Sequence, residues 1–157
     1  MSPPRPACLL AIMTFCFLFI GSPFVTMERQ QELRVGICAR NMVESGDWII
    51  PDFQGQPRLR KPPLSYWMSA SAMKLSGSQG VFAARFPTML AAVALVLVVL
   101  AAGRTWISPR GGLMAALLLA SSIGFLRHGR LAETDITLTL FTTASILLVY
   151  RALEQRS

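Results

Sequence analysis

Four uncharged apolar runs constrain this chain more than any other feature: residues 7–25, 86–102, 111–126 and 136–150. A helix needs about 20 apolar residues to cross a bilayer. The first run has that length. The other three are shorter, and flanking residues such as Trp106 and Thr134 can carry them to the interface, or the bilayer can thin locally. With 53% hydrophobic residues and a mean hydropathy of +0.50, the chain has more apolar character than a soluble core of 157 residues requires. The expected fold class is an all-α membrane protein. It has about four transmembrane helices and an extracytoplasmic loop carrying short interfacial helices. Run one also fits a cleaved signal peptide with Arg5 as its basic end, but it is long and no small-residue cleavage site follows.

The organisation expected is a first transmembrane helix in residues 1–26, an extracytoplasmic loop with juxtamembrane helices in 27–85, and three further transmembrane helices in 86–157. The net charge of +7 comes from 15 Lys and Arg against 8 Asp and Glu. Arg5, Arg104, Arg110, Arg151 and Arg156 flank the apolar runs, where membrane-orienting cations sit. No clustered basic face points to nucleic acid. Placing the N-terminus inside puts Arg104, Arg110, Arg151 and Arg156 inside as well, and the long loop outside. Cys8, Cys16 and Cys38 show neither metal-ligand spacing nor a disulfide framework.

Within the loop, residues 28–44 read as a helix with one apolar stripe, stopped by Ser45-Gly46-Asp47. Trp48-Ile49-Ile50-Pro51 reads as a short extended or interfacial piece. Residues 52–63, rich in Pro, Gly and Gln, read as a loop. Residues 64–75 read as a helix lying at the interface.

Seven of the eight acids fall on the expected outer side: Glu28, Glu32, Glu44, Asp47, Asp52, Glu133 and Asp135, with Glu154 the exception. An acid from the loop can therefore meet one at the mouth of run four. Each has a plainer reading. Asp135 fits a helix cap or dipole partner. Glu32 and Arg34 fit solvated charges on an amphipathic helix. The lone His128 fits a polar flank, and Trp48, Tyr66 and Trp67 fit interface anchors. Arg58-Leu59-Arg60-Lys61-Pro62-Pro63 is different. Its cations precede two stiff prolines at the start of a helix, an arrangement suited to a phosphate headgroup or to anionic lipid.

Ala39-Arg40-Asn41-Met42-Val43-Glu44-Ser45-Gly46-Asp47-Trp48-Ile49-Ile50-Pro51 resembles the first extracytoplasmic segment of bacterial membrane glycosyltransferases of the GT-C class. The nearest subgroup is the lipid A aminoarabinose transferase and protein O-mannosyltransferase-like group. Lys61-Pro62-Pro63-Leu64-Ser65-Tyr66-Trp67 resembles that family's Lys-Pro-Pro-x-x-Tyr-Trp signature. Ala84-Arg85-Phe86-Pro87 and Gly129-Arg130-Leu131-Ala132-Glu133-Thr134-Asp135 match in order and spacing.

The resemblance implies a multi-pass protein of the bacterial inner membrane. It implies transfer of a sugar from a polyprenyl-phosphate donor to lipid A, to protein or to another glycan on the extracytoplasmic face. By position, Asp135 matches the acid at the start of the fourth helix, and Glu32, the surviving acid of the family's usual Asp-Glu pair, is the candidate base, so these two are the expected catalytic residues. Lys61 and Arg34 match residues of donor-phosphate binding. Where the family usually has Asp before Glu32, this chain has Gln31. Arg60 stands where an acid often precedes the lysine. No cofactor is implied with certainty, and a divalent metal is left open. The resemblance further implies that this chain is the N-terminal part of a longer family domain. The competing reading is a non-catalytic membrane protein that binds lipid or a partner through the basic Pro loop.

Overall fold

A computed structural model describes residues 5–20, 22, 26–27 and 29–155. It contains α1 (Arg5–Phe19), α2 (Gln30–Ser45), β1 (Asp52–Phe53), β2 (Gln56–Pro57), α3 (Leu64–Ser76), α4 (Val81–Trp106), α5 (Pro109–Ser121), α6 (Ile123–Gly129) and α7 (Thr134–Glu154). The architecture is a helical membrane protein built around α4, which packs against α1, α3, α5 and α7.

α4 has 26 residues, about 39 Å at 1.5 Å per residue, and α7 has 21; both are long and apolar enough to cross a bilayer. α4 starts at Val81, so the expected boundary at residue 86 falls inside it. Run three is not one straight helix. The Ser122 hydroxyl accepts from Phe125 N (3.3 Å) and caps a new helix, so α5 and α6 meet at 64°. By length and composition the pair is either one broken span or a re-entrant loop, so the described residues hold two long apolar spans, or three if the pair crosses as one. α1 covers 15 residues, less than a span, and residues 21 and 23–25 of run one lie outside the described residues.

α4 and α5 form a hairpin whose start is fixed locally. Ser108 accepts from Gly111 N (2.9 Å), and Pro109 fills the first helical position. The pair then approaches at backbone distance. A Cβ on Gly103 would lie 2.6 Å from Gly112 Cα. Leu95, Val96, Leu100, Ala116, Phe125 and Ile136 belong to the apolar core around this hairpin.

The second core lies between α2 and α3. Val35, Cys38, Ala39 and Met42 recur at helical spacing and meet Tyr66, Ala70 and Met73. α2 ends where expected, with Gly46 at φ 76° donating to Met42 O (3.1 Å). Residues 52–63 are not wholly loop. Asp52–Phe53 pairs with Gln56–Pro57 across Gln54 and Gly55, both at positive φ, which makes a tight hairpin. α3 spans the expected stretch and leaves Leu64, Trp67 and Leu75 exposed, an apolar edge suited to the bilayer surface.

Candidate functional site

The charged residues of the juxtamembrane layer gather where the start of α2, the basic loop before α3 and the α6–α7 turn converge. Lys61 Nζ donates to Gln31 Oε1 (3.1 Å). Arg34 donates to Gln30 Oε1 (3.4 Å), and Arg58 Nε donates to the Tyr66 hydroxyl (3.3 Å). Gln31, Arg34, Arg58, Lys61, Tyr66 and Glu133 line one narrow cleft. A second, open cleft of about 360 Å³ continues along Arg58, Arg60, Lys61 and Pro63. The basic loop therefore presents its cations together. Lys61 meets a neutral amide and has no ion pair among the described residues.

Glu32 sits differently from its expected role as a base. Its side chain is 1% exposed and paired with Arg85, itself 2% exposed. Arg85 Nε donates to Oε1 (2.6 Å) and Nη2 to Oε2 (3.0 Å), while Ala132 N donates to Oε1 (3.1 Å). Arg85 also donates to the Ser22 and Thr26 carbonyls. Both carboxylate oxygens are thus committed to ties joining α2, α4 and the α6–α7 turn. Among the described residues, Asp135 lines neither the cleft that Glu32 lines nor the one that holds Lys61.

Asp135 is exposed in the first turn of α7, where the helix dipole favours a carboxylate. It is not the cap residue: Glu133 holds that position, without a side-chain capping bond. The Glu133 carboxylate is buried, 3.4 Å from Arg29 and 3.0 Å from His128 Nδ1. His128, Glu133 and Asp135 offer ligand atoms within 4.8 Å of one another, a nitrogen-and-oxygen set that suits a divalent ion. Arg29 already balances the Glu133 charge there.

Two features escaped the sequence reading. The Arg85–Glu32 pair was signalled by an arginine at the mouth of run two, within the Ala-Arg-Phe-Pro match. The His128–Glu133 contact was signalled by the single histidine five residues before an acid. Of the aromatic anchors, Trp67 Nε1 donates to Trp48 O (2.6 Å), and Lys74 lies 5.5 Å from the Trp48 ring centre. Burial pushes the Cys38 thiol up to about 11, with Arg58 pulling down and Asp52 adding to the rise.

Residues 60–157 match a family model described as dolichyl-phosphate-mannose-protein mannosyltransferase. An undecaprenyl phosphate-alpha-4-amino-4-deoxy-L-arabinose arabinosyl transferase of Edwardsiella ictaluri is 33% identical over 138 residues, covering 87% of this chain and 25% of the relative. One of the same description from Pseudomonas aeruginosa is 32% identical over 155 residues, covering 98% and 28%. Among solved structures, ArnT from Cupriavidus metallidurans bound to undecaprenyl phosphate superposes with a TM-score of 0.82 at 20% identity, covering 93% of this chain and 27% of that one. Its apo form gives 0.79. The chain thus spans about a quarter of the length of these curated relatives, and the structural likeness concerns the fold.

Proposed function

The chain belongs to the dolichyl-phosphate-mannose-protein mannosyltransferase family, a family of membrane glycosyltransferases, and from that premise we propose that it supplies the donor-phosphate side of a sugar transfer. The donor is a polyprenyl-phosphate sugar, the acceptor a lipid such as lipid A or a protein. The site is the extracytoplasmic face of the bacterial inner membrane.

One observation carries this reading. Lys61 holds its ammonium against the neutral Gln31 amide, in a cleft shared with Arg34 and Arg58. Its charge is available to a phosphate, and the Pro62-Pro63 pair fixes its approach to α3. The relatives' descriptions name undecaprenyl phosphate, which is consistent with such a headgroup. In the transfer, a carboxylate takes the proton of the acceptor hydroxyl, and that oxygen bonds to the anomeric carbon. The bond from that carbon to the phosphate oxygen breaks, and the polyprenyl phosphate leaves against Lys61 and Arg34. Asp135, exposed in the first turn of α7, is the candidate base in this reading. Glu32 positions Arg85 and the α6–α7 turn through its committed oxygens.

Affinity for undecaprenyl phosphate in nanodiscs tests the assignment. Lys61→Ala is expected to weaken it about ten- to a hundredfold, from loss of a charge-assisted bond of about 1.5–3 kcal/mol. Lys61→Arg is expected to restore part of it, because the fork geometry differs. Unchanged affinity in Lys61→Ala overturns the phosphate role. Gln31, standing where the family has an acid, favours a second reading: lipid binding without turnover. Donor binding with no transfer to any acceptor tested would support it.

A further inference from the structure

On the other side of the Glu32–Arg85 pair lies a larger cleft of about 600 Å³, between the end of α1, the start of α2 and α6. The donor site does not use it. α6 and the residue after it supply one wall through Ile123, Leu126, Arg127 and Arg130, spaced i, i+3, i+4 and i+7. Residues so spaced share one helix face. The face is apolar at Ile123 and cationic at Arg130, about 10 Å farther along at 1.5 Å per residue.

The charge balance of this cleft is incomplete. Glu32 is the carboxylate lining it among the described residues, and Arg85 neutralises it. Arg29, also lining it, pairs with Glu133. Arg127 is exposed and has no hydrogen bond or ion pair among the described residues. Arg130 gives Nη2 to Phe17 O (2.8 Å), but its Nε is shut away from water without an acceptor. A buried N–H left unbonded is costly. The lips of the cleft are apolar, with Ile20 and Ile123 64% and 84% exposed. They continue the surface of helices that are apolar along their length.

We propose that this cleft binds the phosphate headgroup of an anionic membrane phospholipid, with Arg127 and Arg130 on the phosphate and the acyl chain along Ile123 and Ile20. A cationic head end next to an apolar lip is the complement of such a lipid, and arginine's fork suits two phosphate oxygens. The occupant is a second lipid, separate from the one assigned to Lys61. The Arg-Leu of the Gly129-to-Asp135 motif thereby gains a role that sugar transfer did not give it.

The test is native mass spectrometry of the full chain released from nanodiscs of phosphatidylglycerol or phosphatidylcholine. Wild type is expected to retain phosphatidylglycerol in preference to phosphatidylcholine. Arg127→Gln/Arg130→Gln is expected to lose retention about tenfold or more, and Arg127→Lys/Arg130→Lys to keep part of it. Ile123→Glu leaves both arginines in place yet puts a carboxylate at the lip, and is expected to lower retention as well. Helicity by circular dichroism checks that each variant is folded. Lys61→Ala is expected to retain phosphatidylglycerol while losing undecaprenyl phosphate. Equal retention of the two phospholipids, or unchanged retention in both the Gln pair and Ile123→Glu, overturns the proposal. Displacement by millimolar inorganic phosphate would make this a free-anion site and overturn the lipid assignment. Parallel loss of both lipids in the Gln pair would make the cleft part of the donor site and overturn its separateness.

Discussion

The α4–α5 hairpin and the juxtamembrane layer of α2, α3 and the basic loop both have apolar cores, but the layer adds long-range polar ties to its neighbours. In the hairpin, apolar side chains and two glycines bring backbones into contact, with Ser108 capping the turn. In the layer, the apolar core between α2 and α3 is supplemented by polar contacts distant in sequence: Arg85 with Glu32, Arg29 with Glu133, Ser69 Oγ donating to Ala84 O (3.0 Å). Lipid surroundings explain the difference. Between apolar helices in a bilayer no hydrophobic driving force remains, so close packing of small residues carries association. At the interface, charged groups can find partners and water, and the same groups become available for chemistry.

The largest effect that should separate the two regions is rupture of the buried ion pair. Glu32→Ala or Arg85→Ala leaves an uncompensated buried charge and is expected to cost about 3–5 kcal/mol. Thermal unfolding in detergent would measure it. Glu32→Leu/Arg85→Met, which removes both charges, should cost less than the two single losses summed. Additive losses would mean the pair does not act as a unit.

pH gives a second lever on the layer alone. Cys38, raised from 9.0 to about 11 in the folded chain, keeps its proton between those values while the unfolded thiol releases its own. The folded state then binds more protons, so stability is full below pH 9 and falls as pH rises toward 11. The loss is on the order of 2–3 kcal/mol, and Cys38→Ala should abolish that share of the slope. An identical pH profile in the variant would show that Cys38 does not contribute.

The smallest of the three effects belongs to the hairpin. A Cβ on Gly112 would lie 2.5 Å from Arg104 N and 2.8 Å from Leu100 O, atoms of backbone that cannot rotate away. Gly112→Val should force α4 and α5 apart at about 1–3 kcal/mol. It should leave affinity for undecaprenyl phosphate unchanged, since the donor cleft draws on other elements. Loss of donor binding in that variant would mean the two regions are coupled.

These contrasts also explain what could be read in the sequence. α2 was legible because its apolar residues recur at helical spacing and Gly46, at positive φ, ends it; α3 was legible from its apolar residues, and Gly77, also at positive φ, ends it in the structure. α7 was legible as an uncharged run with Asp135 at its mouth. The break between α5 and α6 was hidden, since Ser121 and Ser122 interrupt an apolar run without adding charge, and a hydroxyl cap leaves little trace in hydropathy. The small ribbon was hidden by its own composition: Pro57 and Gly55 read as loop, although Gln54-Gly55 supplies the left-handed pair a tight hairpin needs. The site residues divide the same way. Lys61, read from the basic Pro stretch, and Arg34, matched only through the resemblance, line one narrow cleft. Glu32 could not be read locally, because what buries it is Arg85, 53 residues away, and the Ala132 amide, 100 residues away.

Contact between Lys61 and a lipid phosphate can be measured directly. Lys61 and Lys74 are the lysines of this chain, so selective nitrogen labelling of lysine gives two well-defined probes. Solid-state magnetic resonance of the reconstituted protein with undecaprenyl phosphate can measure the distance from phosphorus to each Nζ. A separation under about 4 Å to Lys61, as a charge-assisted bond requires, and none to Lys74 is the result predicted. Phosphorus close to neither lysine, with the lipid bound at full affinity, would contradict it.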